Sequence, residues 1–353
     1  MKVHKHPLKS RPIVSVSGLL LENLGVWVDC KLQPFLSLFD RYFKSSKILQ
    51  KELVNLEIPD GAQMFTANAV SMYTNIPTDR ALASITRFLQ QCKRRLDFDI
   101  PYSALIEGLG IIMGRCAFSF GDTHWEQLTG TAMGTPPAPS YATIYFSIWE
   151  QKSIKQHKAS LFLYCCFIDN VLGIWQPTFS VEDDENNDME EDERWNKFCN
   201  DLDGDEGLTW EVSAHSDRVD FMDLSIHLKD NQIATSLFKK VINKHLYIPS
   251  HSSHPPGVIT GVVHSMIRRI FLLCSEESNR VKKVRAFVNH LQARGYAREL
   301  IIPPGMDAVA KAKQIATGSA NEPTPAPDPE TKRTFLHLPY HPDSPSSRLV
   351  QRA

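Results

Sequence analysis

Apolar and polar positions alternate between two periods along this chain, and the changes of period mark out its elements. From Gly18 to Lys51, Leu32, Phe35, Leu36, Leu38, Phe39 and Phe43 recur at mixed helical spacing, which predicts one or two helices. Met64 to Met72 reads as a buried strand that ends at Tyr73-Thr74-Asn75-Ile76-Pro77, where Thr78 or Asp79 can cap a helix from Arg80 to about Leu96. Tyr102 to Met113 predicts a second helix, and Ala117 to Glu126 an aromatic-rich hairpin about a Gly121-Asp122 turn. After the turn-forming run Gly130-Thr131-Ala132-Met133-Gly134-Thr135-Pro136, a helix is expected from about Ala138 to Gln151. Leu161 to Ile168 and Asn170 to Trp175 then predict two strands meeting at Asp169-Asn170. Leu208 to Val212, Arg218 to Leu228 and Gln232 to Phe238 predict short antiparallel strands, and His264 to Ala297 a long basic helical stretch. Thr317 to Pro329 has the Pro/Ala/Thr composition of a linker. No internal repeat is visible.

Composition narrows the classes. At 353 residues and 42% hydrophobic content, the chain is long enough for two or three subdomains around a core. The apolar stretches Ser17 to Val28 and Ser160 to Phe167 are interrupted or too short for a bilayer, and Met1 to His6 has no apolar run behind it for a signal peptide. No membrane association is therefore expected. Seven scattered cysteines without a CxxC pair predict reduced thiols inside a cell rather than a disulfide framework or zinc site. The four histidines His245, His251, His254 and His264 lack an ordinary zinc pattern, and His251-Ser252-Ser253-His254 before two prolines reads as a turn.

The net charge of -1 conceals an asymmetry. Nine of the 40 acidic residues lie between Glu182 and Glu193 with no basic residue among them, so the rest of the chain carries 39 basic against 31 acidic side chains. The acidic block predicts a solvated loop insertion. The basic excess gathers on the helical stretch, where Arg268, Arg269, Arg280, Lys282, Lys283, Arg285, Arg294 and Arg298 outnumber Glu276 and Glu277. Such a stretch is either a solvated face or a track for nucleic acid.

The order of these segments carries the chemistry. Phosphoryl transfer by polymerases uses two magnesium ions held by carboxylates at a strand end and in a neighbouring β-turn, because magnesium takes hard oxygen ligands in octahedral geometry. Here a strand with Asn68, a helix, a turn with Gly130 and Gly134, a helix, and a turn with Asp169 follow one another in that order. Taken alone, Asp169 is a turn-former and the two glycines a plain strand-to-helix turn.

With Lys2 to Lys5, Arg11 to Ser15, Ser71 to Pro77, Gly130 to Pro136 with Pro139, Phe167 to Asn170, Phe221 to Leu224, His251 to Pro255 and Arg268 to Ser275, the chain resembles reverse transcriptases, specifically those of Penelope-like retroelements. The resemblance implies an α+β, right-hand polymerase architecture with an antiparallel-sheet palm, partial fingers and a helical thumb. The implied divisions are 1–60 partial fingers, 61–240 palm with the acidic insertion at 182–193, 241–315 thumb and 316–353 a Pro-rich tail. It further implies RNA-directed DNA polymerase activity on an RNA template and DNA primer with deoxynucleoside triphosphates, two Mg2+ ions, and an intracellular, nuclear setting.

Residue by residue, the resemblance assigns Arg11 to the triphosphate and Tyr73 to a position beneath the sugar, where it would exclude a ribose 2'-hydroxyl; Tyr73 fits the core equally well. Met133 and Gly134 would pack against nucleotide and template, Phe238 to Ile248 would form a primer grip, and Lys239, Lys240, Arg268, Arg269, Lys282 and Lys283 would meet nucleic acid. Asp169 is the remaining metal ligand, because Asn68 and Asn170 occupy the family's other two aspartate positions. An impaired or inactive polymerase is therefore expected, or else a non-catalytic nucleic-acid-binding protein with the same fold. The chain begins inside the fingers motif and stops where relatives run on toward an endonuclease, so a fragment of a decaying element copy is also expected.

Overall fold

A computed structural model describes residues 13, 16–95, 99–114, 116–131, 133–176, 191–203, 208–240 and 242–316. In chain order the elements are α1 (Glu22–Leu36), α2 (Ser46–Val54), β1 (Gln63–Ala69), α3 (Met72–Asn75), α4 (Thr78–Arg95), α5 (Tyr102–Gly114), β2 (Cys116–Phe120), β3 (Thr123–Gln127), α6 (Ala138–Gln156), β4 (Leu161–Phe167) and β5 (Asn170–Trp175). They continue with α7 (Glu191–Asp203), β6 (Trp210–Val212), β7 (Arg218–Phe221), β8 (Leu224–Lys229), β9 (Gln232–Leu237), α8 (Pro256–Leu273), α9 (Glu277–Ala293) and α10 (Arg298–Ala316). The mixture of helices and antiparallel sheet matches the α+β expectation. No helix among the described residues is long and apolar enough to cross a membrane. Cys30, Cys92, Cys165, Cys166, Cys199 and Cys274 are unbridged.

The chain forms two compact units, Met1–Ser45 with Glu57–Met222 and Ser46–Leu56 with Asp223–Ala353. In the first, four antiparallel strands run in the order β4-β5-β1-β6. Helix α4 shows how sequence builds the layer beside them. Ala81, Ile85, Leu89 and Cys92 form a buried stripe at helical spacing, while Asp79 in the first turn and Lys93, Arg94 and Arg95 in the last complement the helix dipole. Helices α1, α4, α5 and α6 pack on one another, and Phe35, Phe65, Tyr141, Tyr145, Phe146 and Phe198 are fully buried within a single core. Phe65 sits opposite Gly173 in the register of β1 and β5, where a Cβ would lie 2.1 Å from the Phe65 ring. The glycine is what allows that ring to cross the sheet face.

Three sequence expectations are corrected in these elements. Residues 191–193 of the acidic run belong to α7 rather than to a loop; Glu191, Asp192 and Glu193 occupy its first turn, where negative charge is favoured, and Phe198 and Leu202 anchor it in the core. The remainder of that run lies outside the described residues. The stretch Arg218 to Leu228 is two strands rather than one, interrupted at Met222, whose φ is 53°.

In the second unit, β8 and β9 form a hairpin with Leu224 opposite Leu237, closed by Asp230 and Asn231 at φ of 50° and 59°, the left-handed pair that suits a two-residue turn. Helices α2 and α8 pack on β9, and α10 packs along α8. Here the third correction falls. The basic stretch is not continuous: it begins at Pro256 and breaks at Cys274, whose backbone is extended at φ -96° and ψ 120°. Arg280 holds the break open, donating from Nε to the Cys274 carbonyl at 2.8 Å and from a terminal nitrogen to the Ser275 carbonyl at 3.0 Å. The Ser275 N–H donates to the Thr235 carbonyl on β9 at 3.0 Å. One of the basic residues expected on a nucleic-acid face thus serves the fold.

Candidate polymerase site

The first unit builds its site at one end of the sheet. Strands β4 and β5 form a hairpin with Phe167 opposite Asn170, so Ile168 and Asp169 make the turn, with Ile168 at φ 56°. Strand β1 runs antiparallel to β5 with Asn68 directly opposite Asn170. The Ala69 N–H donates to the Asp169 carbonyl at 2.8 Å, tying the turn to the end of β1. The positions singled out in the sequence, about a hundred residues apart, are therefore neighbours. Directly opposite residues of an antiparallel pair share a face, with Cβ atoms about 4.5–5.5 Å apart.

The turn contributes one carboxylate to this strand end. The Asn170 side-chain amide donates to Asp169 Oδ1 at 2.7 Å, so the one carboxylate already has a local donor. Across β1 from the other side, Glu211 of β6 lies opposite Asn68, placing Asn170, Asn68 and Glu211 in one cross-strand row. Glu211 is exposed and was missed in the sequence, because the three-residue strand Trp210–Val212 gives no clue to its register. Among the described residues no three His, Cys, Asp or Glu side chains gather closely enough to hold a metal ion. Two Mg2+ ions need several hard anionic oxygens held close together, and the set of the Asp169 carboxylate, two amides, and Glu211 on the far side of β1 does not fit them.

The remaining site segments are stitched together by backbone. Ser71, at φ 52°, redirects the chain after β1 into the single turn α3, on which Tyr73 is half-buried and packs against the core. The Gly130 N–H donates to the Ile76 carbonyl at 2.9 Å, the Thr131 N–H to the Tyr73 carbonyl at 2.5 Å, and the Thr78 hydroxyl to the Gly130 carbonyl at 3.2 Å. A Cβ at Gly130 would lie 2.6 Å from the Tyr73 carbonyl and 2.8 Å from the Thr74 Cα, and its φ is 86°. Only glycine lets these two loops meet so closely. Met133 is half-buried and Gly134 exposed at φ 115°, both on the loop that Gly130 docks against the Tyr73 turn. Arg11 lies outside the described residues.

The second unit gathers several of the predicted basic residues. Lys239 is half-buried; burial lowers its ammonium pKa, and Lys283 and Arg269 lower it further. The three cations lie near enough to repel one another, and Asp223 offsets one of them. Lys239 also donates to the Tyr247 hydroxyl at 3.3 Å, and Arg269 pairs with Asp223. Lys240 and Lys282 are exposed and Arg268 half-buried. His251 to His254 form a turn, as the sequence suggested, with Ser252 and His254 hydrogen-bonded at 2.6 Å.

Comparison with known proteins bears on this arrangement. The animal helix-turn-helix domain model matches residues 246–302, the region of α8, the break held by Arg280, and α9. No curated protein matches in sequence. Among solved structures, telomerase from Candida albicans in complex with a TWJ fragment of telomeric RNA is similar at a TM-score of 0.55 and 11% identity, over 86% of this chain and 54% of that one. An RNA-dependent RNA polymerase, vp4, with dsRNA is similar at 0.51 and 9% identity, over 80% of this chain and 26% of that one. The BmCPV RNA-dependent RNA polymerase in its quiescent state is similar at 0.50 and 10% identity, over 81% and 26%. The chain thus spans about half the length of the telomerase chain and about a quarter of the viral ones. These likenesses show that the fold, helices around an antiparallel sheet, is similar to that of the telomerase and viral RNA polymerase chains.

Proposed function

We propose that this chain is the reverse transcriptase domain of a Penelope-like retroelement, descended from an RNA-directed DNA polymerase and impaired in catalysis. The observation that carries the reading is the register of β1 and β5, which sets Asn68 opposite Asn170 with Asp169 in the adjoining turn. Those are the three positions at which the family resemblance expects aspartates. In this reading the sheet of the first unit is the palm, the segment before it part of the fingers, and the basic helices from residue 241 the thumb. An RNA template, a DNA primer and deoxynucleoside triphosphates are its ancestral partners, two Mg2+ ions its ancestral cofactors, and the nucleus its place of action. Tyr73 and Met133, docked to each other's loops by Gly130 and Thr131, line the nucleotide side.

The alternative is a nucleic-acid-binding protein that keeps the fold without the chemistry, and the uncharged Asn68–Asn170 pair favours it. Primer extension on an RNA template with Mg2+ tests both. Asn68→Asp with Asn170→Asp is expected to raise extension at least tenfold over the unmodified chain, and no gain would refute the claim that these two amides limit activity. Hybrid binding by the unmodified chain that persists in a chelator supports the binding-only reading, whereas extension by the unmodified chain refutes it.

A further inference from the structure

Beside the Tyr73 turn, β2 and β3 form a two-stranded hairpin that joins no other sheet among the described residues. An isolated hairpin of this kind is marginal in water and needs something against its apolar face. That face carries Phe118 directly opposite Trp125. Together with Met133, Thr74 and Thr131 they line a cavity of about 220 Å3. Trp125 is 56% exposed. Its indole N–H donates to the Thr123 hydroxyl at 2.8 Å, so the ring's polar edge is satisfied within the hairpin and its face is what it offers a ligand. Thr131 in the lining is 2% exposed, and its hydroxyl has no hydrogen-bond partner among the described residues. A buried hydroxyl left unpaired implies a missing partner.

We propose that this pocket takes one unpaired nucleobase of a single-stranded nucleic acid, stacked on Trp125 with its polar edge toward the Thr131 hydroxyl. The proposal rests on the polymerase reading for its choice of nucleic acid. Size is its first support, since sites for drug-sized ligands run to roughly 300–1,000 Å3 and this cavity suits a single ring system. Chemistry is its second. Aromatic faces stack any base, and a hydroxyl that can both donate and accept suits any base edge, so the pocket reads the unpaired state and not the sequence. Charge is the third. Among the described residues the lining includes Glu126 and no Lys or Arg, which disfavours a triphosphate attached to the bound base. A strand, by contrast, can rest its phosphates elsewhere on the protein.

The test is fluorescence anisotropy with a labelled 12-mer single-stranded RNA, the same sequence as single-stranded DNA, and the RNA–DNA hybrid, using the full chain. Trp125→Ala is expected to weaken both single strands about tenfold or more while hybrid affinity stays within about twofold, the size of one lost base–aromatic stack. Trp125→Phe should recover most of the affinity, and Thr131→Val, which keeps the shape and deletes the hydroxyl, should cost about fivefold. If Trp125→Ala does not fold, the Phe and Val variants decide. Single-strand affinity indifferent to all three, with the hybrid still bound, overturns the pocket and leaves the polymerase reading standing. Displacement of the oligonucleotide by micromolar nucleoside monophosphate overturns the strand assignment in favour of a free nucleotide. An unmodified chain that binds neither strand nor hybrid refutes both.

Discussion

Glu150 is the most consequential charge in the first unit, because α6 carries it wholly into the core beneath the sheet. Burial pushes its carboxyl from an ordinary 4.5 up to about 8, partly opposed by the Cys166 thiol, which donates to Oε1 at 3.5 Å, by the Tyr164 hydroxyl and by Arg41. Its second oxygen has no partner among the described residues. A carboxyl held at about 8 when folded and 4.5 when unfolded keeps its proton in the native state and loses it in the unfolded one throughout that window. Stability is therefore highest below pH 4.5 for this group and falls as pH rises toward 8, by about 1.4 kcal/mol per pH unit. Between pH 5.5 and 7.5 the loss is about 3 kcal/mol, or roughly 1 M or more in urea midpoint at the usual slopes. Glu150→Gln keeps the shape and removes the titration. All six tryptophans, Trp27, Trp125, Trp149, Trp175, Trp195 and Trp210, lie in the first unit, so urea melts followed by tryptophan fluorescence report that unit alone. The variant is expected to be more stable than the unmodified chain at pH 7.5, by a margin that shrinks at pH 5.5. Parallel pH dependence in the two proteins would refute the reasoning, since it would mean that Glu150 is ionised or hydrated in the fold.

Two further outcomes follow from backbone geometry. Gly130→Ala puts a Cβ within 2.8 Å of the Tyr73–Thr74 backbone at φ 86° and is expected to cost more than about 2 kcal/mol in the same fluorescence melt; a smaller loss would mean that the two loops are not held together as described. Arg280→Ala removes both donors to the Cys274 and Ser275 carbonyls and is expected to destabilise the second unit by about 1–3 kcal/mol. Helical circular dichroism follows both units, so the loss is read as a fall in the circular-dichroism melt that the tryptophan-fluorescence melt does not share, and an unchanged pair of melts would show the break to be held by other contacts.

Much of this architecture was legible where periodicity and punctuation coincide. The stripe of α4 and the apolar run of α5 stand in the structure within about two residues of where they were expected. So do the strand, turn and strand around Asp169. What was not legible depended on tertiary partners. The helix break at Cys274 has neither glycine nor proline to mark it, because its carbonyls are satisfied by a side chain six residues on. The start of α7 is hidden in an acidic run that composition alone assigns to solvent. Met222 takes a left-handed conformation that an unbranched non-glycine residue rarely signals. The approach of Lys239 to Arg269 and Lys283, and the placing of Glu211 beside Asn68, follow from packing and register that no local pattern encodes.

The two strand-end amides also bear on the stability of the fold. Asn68 and Asn170 face each other across β1 and β5, and the Asn170 amide donates to Asp169. Aspartates at both positions would add two carboxylates to those of Asp169 and Glu211 at one strand end. Two like charges about 5 Å apart repel by roughly 3 kcal/mol at an effective dielectric of 20, unless cations neutralise them. The amides remove that repulsion and turn one of its members into a donor for the remaining carboxylate. The contacts that hold the site's shape, by contrast, are backbone hydrogen bonds from Ala69, Gly130 and Thr131, which do not depend on the charge of any side chain. Amides at these two positions therefore relieve the strand end electrostatically while leaving the backbone contacts that shape it untouched.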